Sequence, residues 1–580
     1  MSPFLLTAVV FAPLALAIPV ALLPSGEKAQ LRVATLCAML LSFGLTLWLY
    51  LAFDPAGPEF QFVVNRPWVA SLGIGYHLGI DGLAVSLMLL TAFLGPIALL
   101  STWTAIDDRV KELCLALLFL QTAMLGAFAA LDLALFYVFW EAMLVPIYLL
   151  IGVWGSDNRI FAAVKFFLYT FAASVLMLVA ILYLYVKTGS AGAHSFDYQT
   201  ILAAVSRPEA FGWEARQWLF LAFAVAFAVK VPMFPLHTWL PDAHTEAPAA
   251  GSIILAGVLL KMGVFGFVRY AIPFFPDAAA FFRPVLAGLA VVGIVYGSLM
   301  SFEQKDMKKL VAYSSVAHLG FVMLGVMAVS VEACTGALYQ MLNHGISTGA
   351  LFLLIGIVYE RTHTRAIADY GGIAKVMPMF AGTFLIILLS SIGLPGTNGF
   401  VGEFLILAGT FTAPFDLTVA VPAGVTLPYV STVALAIIAS SGVVLGAVYM
   451  LRMYQQVFLG PVRHPENRQL TDLNAREWLA IAPLIVMVFV MGIFPQPFLA
   501  RLEPSARAFV ARLGGQPLKR SGTAAPASPA APAAEAPVRP VLQPSPSAIR
   551  RFIDPAAPHL RVGPGGHPIV RPRPQAPGTP

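Results

Sequence analysis

The chain has 580 residues, of which 59% are hydrophobic and only 11% charged, against roughly 25% charged in soluble domains. That balance excludes a water-soluble globular protein and leaves an all-α polytopic membrane protein. The formal charge of +6 is local: residues 515–580 hold eight Lys/Arg and two acids, the rest 27 of each sign, so the basicity describes no nucleic-acid surface.

The N-terminus, MSPFLLTAVVFAPLALAIPVALL, lacks a positive leader and reads as a first span rather than a cleaved signal peptide. A span needs about 20 mostly apolar residues. Fourteen candidates follow in order, near 4–24, 31–52, 83–104, 113–130, 132–153, 164–187, 217–240, 251–272, 283–302, 309–329, 334–358, 378–410, 429–452 and 478–500. An even number places both termini on one side. Connections after odd spans carry sixteen Lys/Arg and those after even spans six, which predicts cytoplasmic odd connections and periplasmic termini. Residues 505–580, with 16 prolines after position 514, read as a disordered Pro/Ala-rich basic tail. Cys37, Cys114 and Cys334 sit singly, so no disulfide, zinc or iron–sulfur framework is legible. There is no GxGxxG or Walker A motif, which argues against nucleotide binding.

Ionisable side chains at mid-bilayer are costly, about 2.5–3.5 kcal/mol each on insertion scales. Six stand inside these spans: Glu141, Lys230, Lys261, His318, His344 and Glu403. At 1.5 Å per residue they lie roughly 12–20 Å from the nearer span end, too deep for easy snorkelling. Glu141, Lys230 and Lys261 together exceed what one structural ion pair needs, which points to an ion path. Each histidine has a plainer reading as a hydrogen-bonded core residue, and the two could instead be axial haem ligands if matched in depth. His237 and His244, beside Trp239 and Asp242, are expected to line a polar inlet at a span end rather than a metal site. Arg269 and Arg283 read as interfacial anchors.

Two spans are interrupted. Pro232 and Pro235 break the seventh just after Lys230; Gly393, Pro395, Gly396 and Gly399 break the twelfth just before Glu403. The breaks are five spans apart, an odd number, so equivalent units over spans 4–8 and 9–13 would insert with opposite orientation. Paired broken helices in inverted repeats mark the ion sites of many transporters.

KVPMFPLHTWLPDAHTEAP (residues 230–248) resembles the antiporter-like membrane subunits of respiratory complex I and of multisubunit Na⁺/H⁺ antiporters, a likeness that runs over most of residues 1–500. GIDGLAVSLMLLTAFLGPIALLSTW in span 3 and GLPGTNGFVGEF in span 12 look like the M-type chains, the equivalents of mitochondrial subunit 4. Glu403 is the sharpest discriminator, because the sister L- and N-type chains and the antiporter subunits usually carry lysine there. The resemblance implies 14 helices divided as 1–110, a first five-helix repeat over 111–272, an inverted repeat over 281–458, and a last helix over 476–504, with the 505–580 tail lacking an inherited role. It implies a proton relay in which Glu141 pairs with Lys230, followed by Lys261, His318 and His344 and ending at Glu403. No cofactor or metal is expected in this chain; FMN, iron–sulfur clusters and quinone are expected in partner subunits. The implied partners are the other membrane-arm subunits, especially the L- and N-type chains, and the lipid bilayer. The implied location is the bacterial inner membrane. A cation/proton antiporter or membrane-hydrogenase subunit of the same fold is the alternative, and a non-transporting scaffold is the rival of a different class.

Overall fold

The computed structural model describes residues 4–189, 194–207, 211–414, 421, 424–429 and 431–514. Among these, twelve helices are long and apolar enough to cross a membrane. They are α1 (Phe4–Leu22), α2 (Lys28–Ala52), α3 (Gly82–Ser101), α4 (Val110–Ala129), α5 (Leu133–Trp154), α6 (Arg159–Gly189), α10 (Ala249–Phe274), α11 (Pro276–Phe302), α12 (Met307–Met327), α13 (Val331–Thr362), α16 (Thr432–Phe458) and α17 (Ala475–Ile493). The seventh and twelfth candidate spans fall on broken helices. The seventh is α8 (Trp213–Lys230), followed by a turn and then α9 (Trp239–Glu246); the twelfth is α14 (Pro378–Ser391), followed by α15 (Asn398–Phe411).

The first break is a consequence of its prolines, which lack an N–H and obstruct the preceding helical turn. The Met233 N–H bonds back to the Ala228 carbonyl, leaving the Val229 carbonyl without its usual helical donor. The Trp239 indole N–H takes that place at 2.9 Å. At the second break Gly393 has φ +75°, a left-handed conformation that a β-carbon disfavours.

Four helices form the interior. Along α3, α10, α12 and α13 nearly every side chain is buried, whereas α1, α2, α6, α16 and α17 keep exposed apolar faces with residues such as Leu168, Val179, Val444 and Val486. Apolar exposure on that scale suits lipid or neighbouring subunits, not water. The loops gather on two faces. On one, Arg32 bonds Asp107, Arg365 bonds Ser156 and the Thr245 carbonyl, and Arg361 clasps Glu477. On the other, His77 meets Asp197, Arg216 meets Asp277 and Arg512 meets Glu59.

Three features depart from the sequence reading. A two-stranded antiparallel hairpin, β1 (Gln61–Val69) and β2 (Ile74–Ile80), stands between α2 and α3. It docks through the Leu131 N–H on the His77 carbonyl and the Gly75 N–H on the Asp132 carboxylate. A short helix, α7 (Tyr198–Val205), follows α6. The tail boundary at 505 is wrong: α18 (Gln496–Leu513) continues past it, burying Leu502, Ser505, Ala506, Phe509 and Leu513, while the remainder of the expected tail lies outside the described residues. Its arginines and acids alternate with apolar residues at helical spacing, and that mixed pattern hides a packed amphipathic helix from a reading based on composition.

Candidate functional site

Lys261 lies at the centre of the all-buried helix α10, directly after a π-helical turn at Leu255–Leu259. Such turns open carbonyls to side chains and are frequent at functional sites. The Lys261 ammonium donates to the Ala256 carbonyl of that turn, and its Nζ stands 2.7 Å from His344 Nδ1 on α13. The His344 and His318 rings have centroids 5.7 Å apart. His318, on α12, places Nδ1 3.1 Å from Glu403 Oε1 on α15. Four of the six sequence-derived residues thus form one buried series crossing α10, α13, α12 and α15.

The other two stand apart. Lys230 ends α8 and is 1% exposed; its Nζ has no hydrogen-bond partner and faces the Trp140 and Phe166 rings at 5.0 and 5.9 Å. Glu141 is half-buried beside Ser174 and Tyr137. The expected ion pair between them is not closed: among the described residues Lys230 has no carboxylate within 4.0 Å, although the two interact electrostatically. A cation held by aromatic faces rather than by a carboxylate is the physical difference.

Other expectations also change. Arg269 and Arg283 are no interfacial anchors: both are 4% exposed, Arg269 paired with Asp81 at 2.7 Å and Arg283 donating to the Met327 carbonyl at 2.8 Å. A guanidinium at a helix end can turn inward when a carboxylate or free carbonyl awaits it, and only the packing reveals which. His237 and His244 line no open inlet, being 2% and 0% exposed. The His244 ring stacks on Phe352 at 4.5 Å, and neither of its nitrogens has a hydrogen-bond partner.

Sequence reasoning missed Lys308, which is 6% exposed in the first turn of α12 and donates to the Ala247 carbonyl. It lines a cavity of about 170 Å³ on the Arg365 face, together with Glu246, Glu360, Arg365 and Ser156. Its charge interacts with His244, which also senses Lys261. Also missed were Gln340, Asn343 and Ser347, which with His344 form a polar stripe along α13 at helical spacing. Gln340 Nε2 donates to Glu403 Oε1 at 3.1 Å, and Ser347 and Ser390 hydroxyls pair at 2.8 Å beside the second break. A stripe of that period in an apolar helix was a usable signal.

A buried series of lysine, two histidines and a glutamate can hold and pass protons, since every member exists in two protonation states. Comparison with known proteins gives the family of the chain. The family model described as "NADH:quinone oxidoreductase/Mrp antiporter, TM" matches residues 130–427. NADH-quinone oxidoreductase subunit M of Rickettsia prowazekii is 43% identical over 474 residues, covering 82% of this chain and 91% of that protein. The chain belongs to the subunit M family of NADH:quinone oxidoreductase. Chain 4 of the NADH-ubiquinone oxidoreductase of Arabidopsis thaliana, in the same family, is 39% identical over 508 residues, covering 87% of this chain and 97% of its own. A chain of respiratory complex I from Thermus thermophilus superposes with a TM-score of 0.77 at 34% identity, covering 88% of this chain and all of that one. As a subunit M family member, the chain is a multi-pass membrane protein of a respiratory complex.

Proposed function

We propose that this proton-translocating membrane-arm subunit of NADH:quinone oxidoreductase moves protons through Glu141, Lys230, Lys261, His344, His318 and Glu403, driven by electron transfer in partner subunits. The observation that carries the reading is the buried succession Lys261–His344–His318–Glu403, with its 2.7 and 3.1 Å contacts at the two ends. FMN, iron–sulfur clusters and quinone belong to those partners. The neighbours in the membrane arm are L- and N-type chains, and the membrane is the bacterial inner membrane. Helices over 111–272 and 281–458 act as two inverted repeats, each contributing one broken helix.

In this scheme burial penalises the Lys230 ammonium while the Glu141 charge supports it, so a shift in their separation changes whether Lys230 keeps its proton. The proton passes to Lys261, then through the two imidazoles to Glu403, which releases it on the periplasmic side. Both termini lie on that side. The opposite face, with its Lys308 cavity, supplies protons toward Lys261 past His244.

The test is NADH-driven acidification of inverted vesicles carrying assembled enzyme with Glu141→Ala or Lys230→Ala. Acidification per NADH oxidised is expected to fall at unchanged complex level. Full pumping by both variants would sink the relay.

A further inference from the structure

Glu403 is 5% exposed, and its Oε1 accepts two hydrogen bonds. One comes from the relay neighbour His318 and the other from the Gln340 amide, both at 3.1 Å. Gln340 belongs to no step of the relay, yet it is 2% exposed and its own placement is specified. Its Oε1 accepts from the Asn343 amide nitrogen at 2.9 Å, one turn along α13. With the carbonyl end of the Gln340 amide occupied, its NH₂ end faces the carboxylate. Reversing both amides would set the Gln340 oxygen against Glu403, two acceptors facing each other.

The space for this contact depends on Gly402. A β-carbon there would lie 2.3 Å from Gln340 Oε1 and 2.8 Å from Asn343 Nδ2. On the far side, Gly393 brings the break so close that a β-carbon would lie 3.0 Å from Glu403 Oε2. Tyr449 on α16 is a further titratable group close enough to interact electrostatically with Glu403.

We propose that Gln340, oriented by Asn343 and admitted by Gly402, is a positioning residue that holds the Glu403 carboxylate on His318 and supports its charged form during proton transfer. The inference rests on the reading of Glu403 as the end of the relay. Without the amide, only His318 restrains Oε1, and the carboxylate loses a donor that favours its ionised state.

The experiment measures NADH-driven acidification of inverted vesicles across a pH series, normalised to NADH oxidation and to complex level on native gels. Gln340→Met keeps the length and removes the donor. It should lower pumping about tenfold, the scale of one lost hydrogen bond to a charged group. Gln340→Glu keeps the shape and the contact with Asn343, but donates to Glu403 only when protonated. It should fail near neutrality and recover on acidification. Gly402→Ala, which removes no polar group but displaces the Gln340 amide, should follow Gln340→Met. Wild-type pumping and pH profile in Gln340→Met and Gln340→Glu would overturn the inference. Glu403→Gln separates the two levels: if it pumps normally the relay reading itself fails, and if it is inactive while the Gln340 variants are normal, only the positioning role fails.

Discussion

Lys261 shows what a single buried amine must do to be more than a packing element. It is fully buried, donates within its own helix to the Ala256 carbonyl, and meets His344 Nδ1 at 2.7 Å. A fixed structural cation at this position would tolerate arginine, whose guanidinium stays protonated in proteins. A relay member would not. Lys261→Arg and Lys261→Met are therefore both expected to lower NADH-driven acidification of inverted vesicles by roughly 10²-fold, the usual weight of a positioned acid–base group. Full pumping by Lys261→Arg would reduce Lys261 to a structural charge. The residue itself was legible in the sequence, because a lysine inside GSIILAGVLLKMGVFGFVRY stands out by depth alone. The aromatic faces around Lys230 were not, since Trp140 and Phe166 lie on other helices and no spacing along the chain announces a cation–π contact.

At the scale of elements, the hairpin β1–β2 depends on a polar latch. His77 Nδ1 lies 2.6 Å from Asp197 Oδ2, and the Thr200 N–H and hydroxyl both donate to Asp197 Oδ1 at 2.8 Å. Burial works against the Asp197 carboxylate, but these hydrogen bonds outweigh it and hold the group below the ordinary aspartate range. A carboxyl whose value is lowered on folding contributes stability above the unfolded value, about 3.9, and loses it as pH falls through the lowered folded value. Hydrogen exchange over residues 61–80 should thus stay slow down to about pH 4 and accelerate below it. Asp197→Asn should exchange faster already at neutral pH; unchanged protection would remove the latch from the account. The hairpin escaped the sequence reading because QFVVNRPWV carries a proline and little alternation, and its partner strand contains two glycines.

For the whole molecule, coherence depends on ties between helices far apart in sequence. Arg361 at the end of α13 clasps Glu477 at the start of α17 with two bonds of 2.9 and 2.8 Å, and Glu477 in turn closes a capping box with Asn474. The Glu477 side chain is only 4% exposed, and without Arg361 it keeps only Arg476 at 3.5 Å and the Asn474 N–H. Leaving a buried charge wholly unpaired costs about 3–5 kcal/mol, so Arg361→Ala should cost part of that. The expected outcome is a lower thermal midpoint for the purified complex and less assembled enzyme on native gels, with Arg361→Lys intermediate because an ammonium cannot make the paired contact. Equal stability of Arg361→Ala and the parent would show that α17 is held by apolar packing alone.

The sequence by itself determined the membrane class, both helix breaks and the six ionisable residues within the spans that we propose as the relay. Each follows from local facts: apolar run length, proline and glycine at a break, and the cost of a charge in hydrocarbon. Only the tertiary structure decided which of these residues touch. It joined Lys261 to His344 and His318 to Glu403, left Lys230 apart from Glu141, turned Arg269 and Arg283 inward, and brought Gln340 to Glu403. Those outcomes depend on how helices separated by tens of residues rotate against one another, and hydrophobic periodicity is blind to that rotation where every face of a helix is buried.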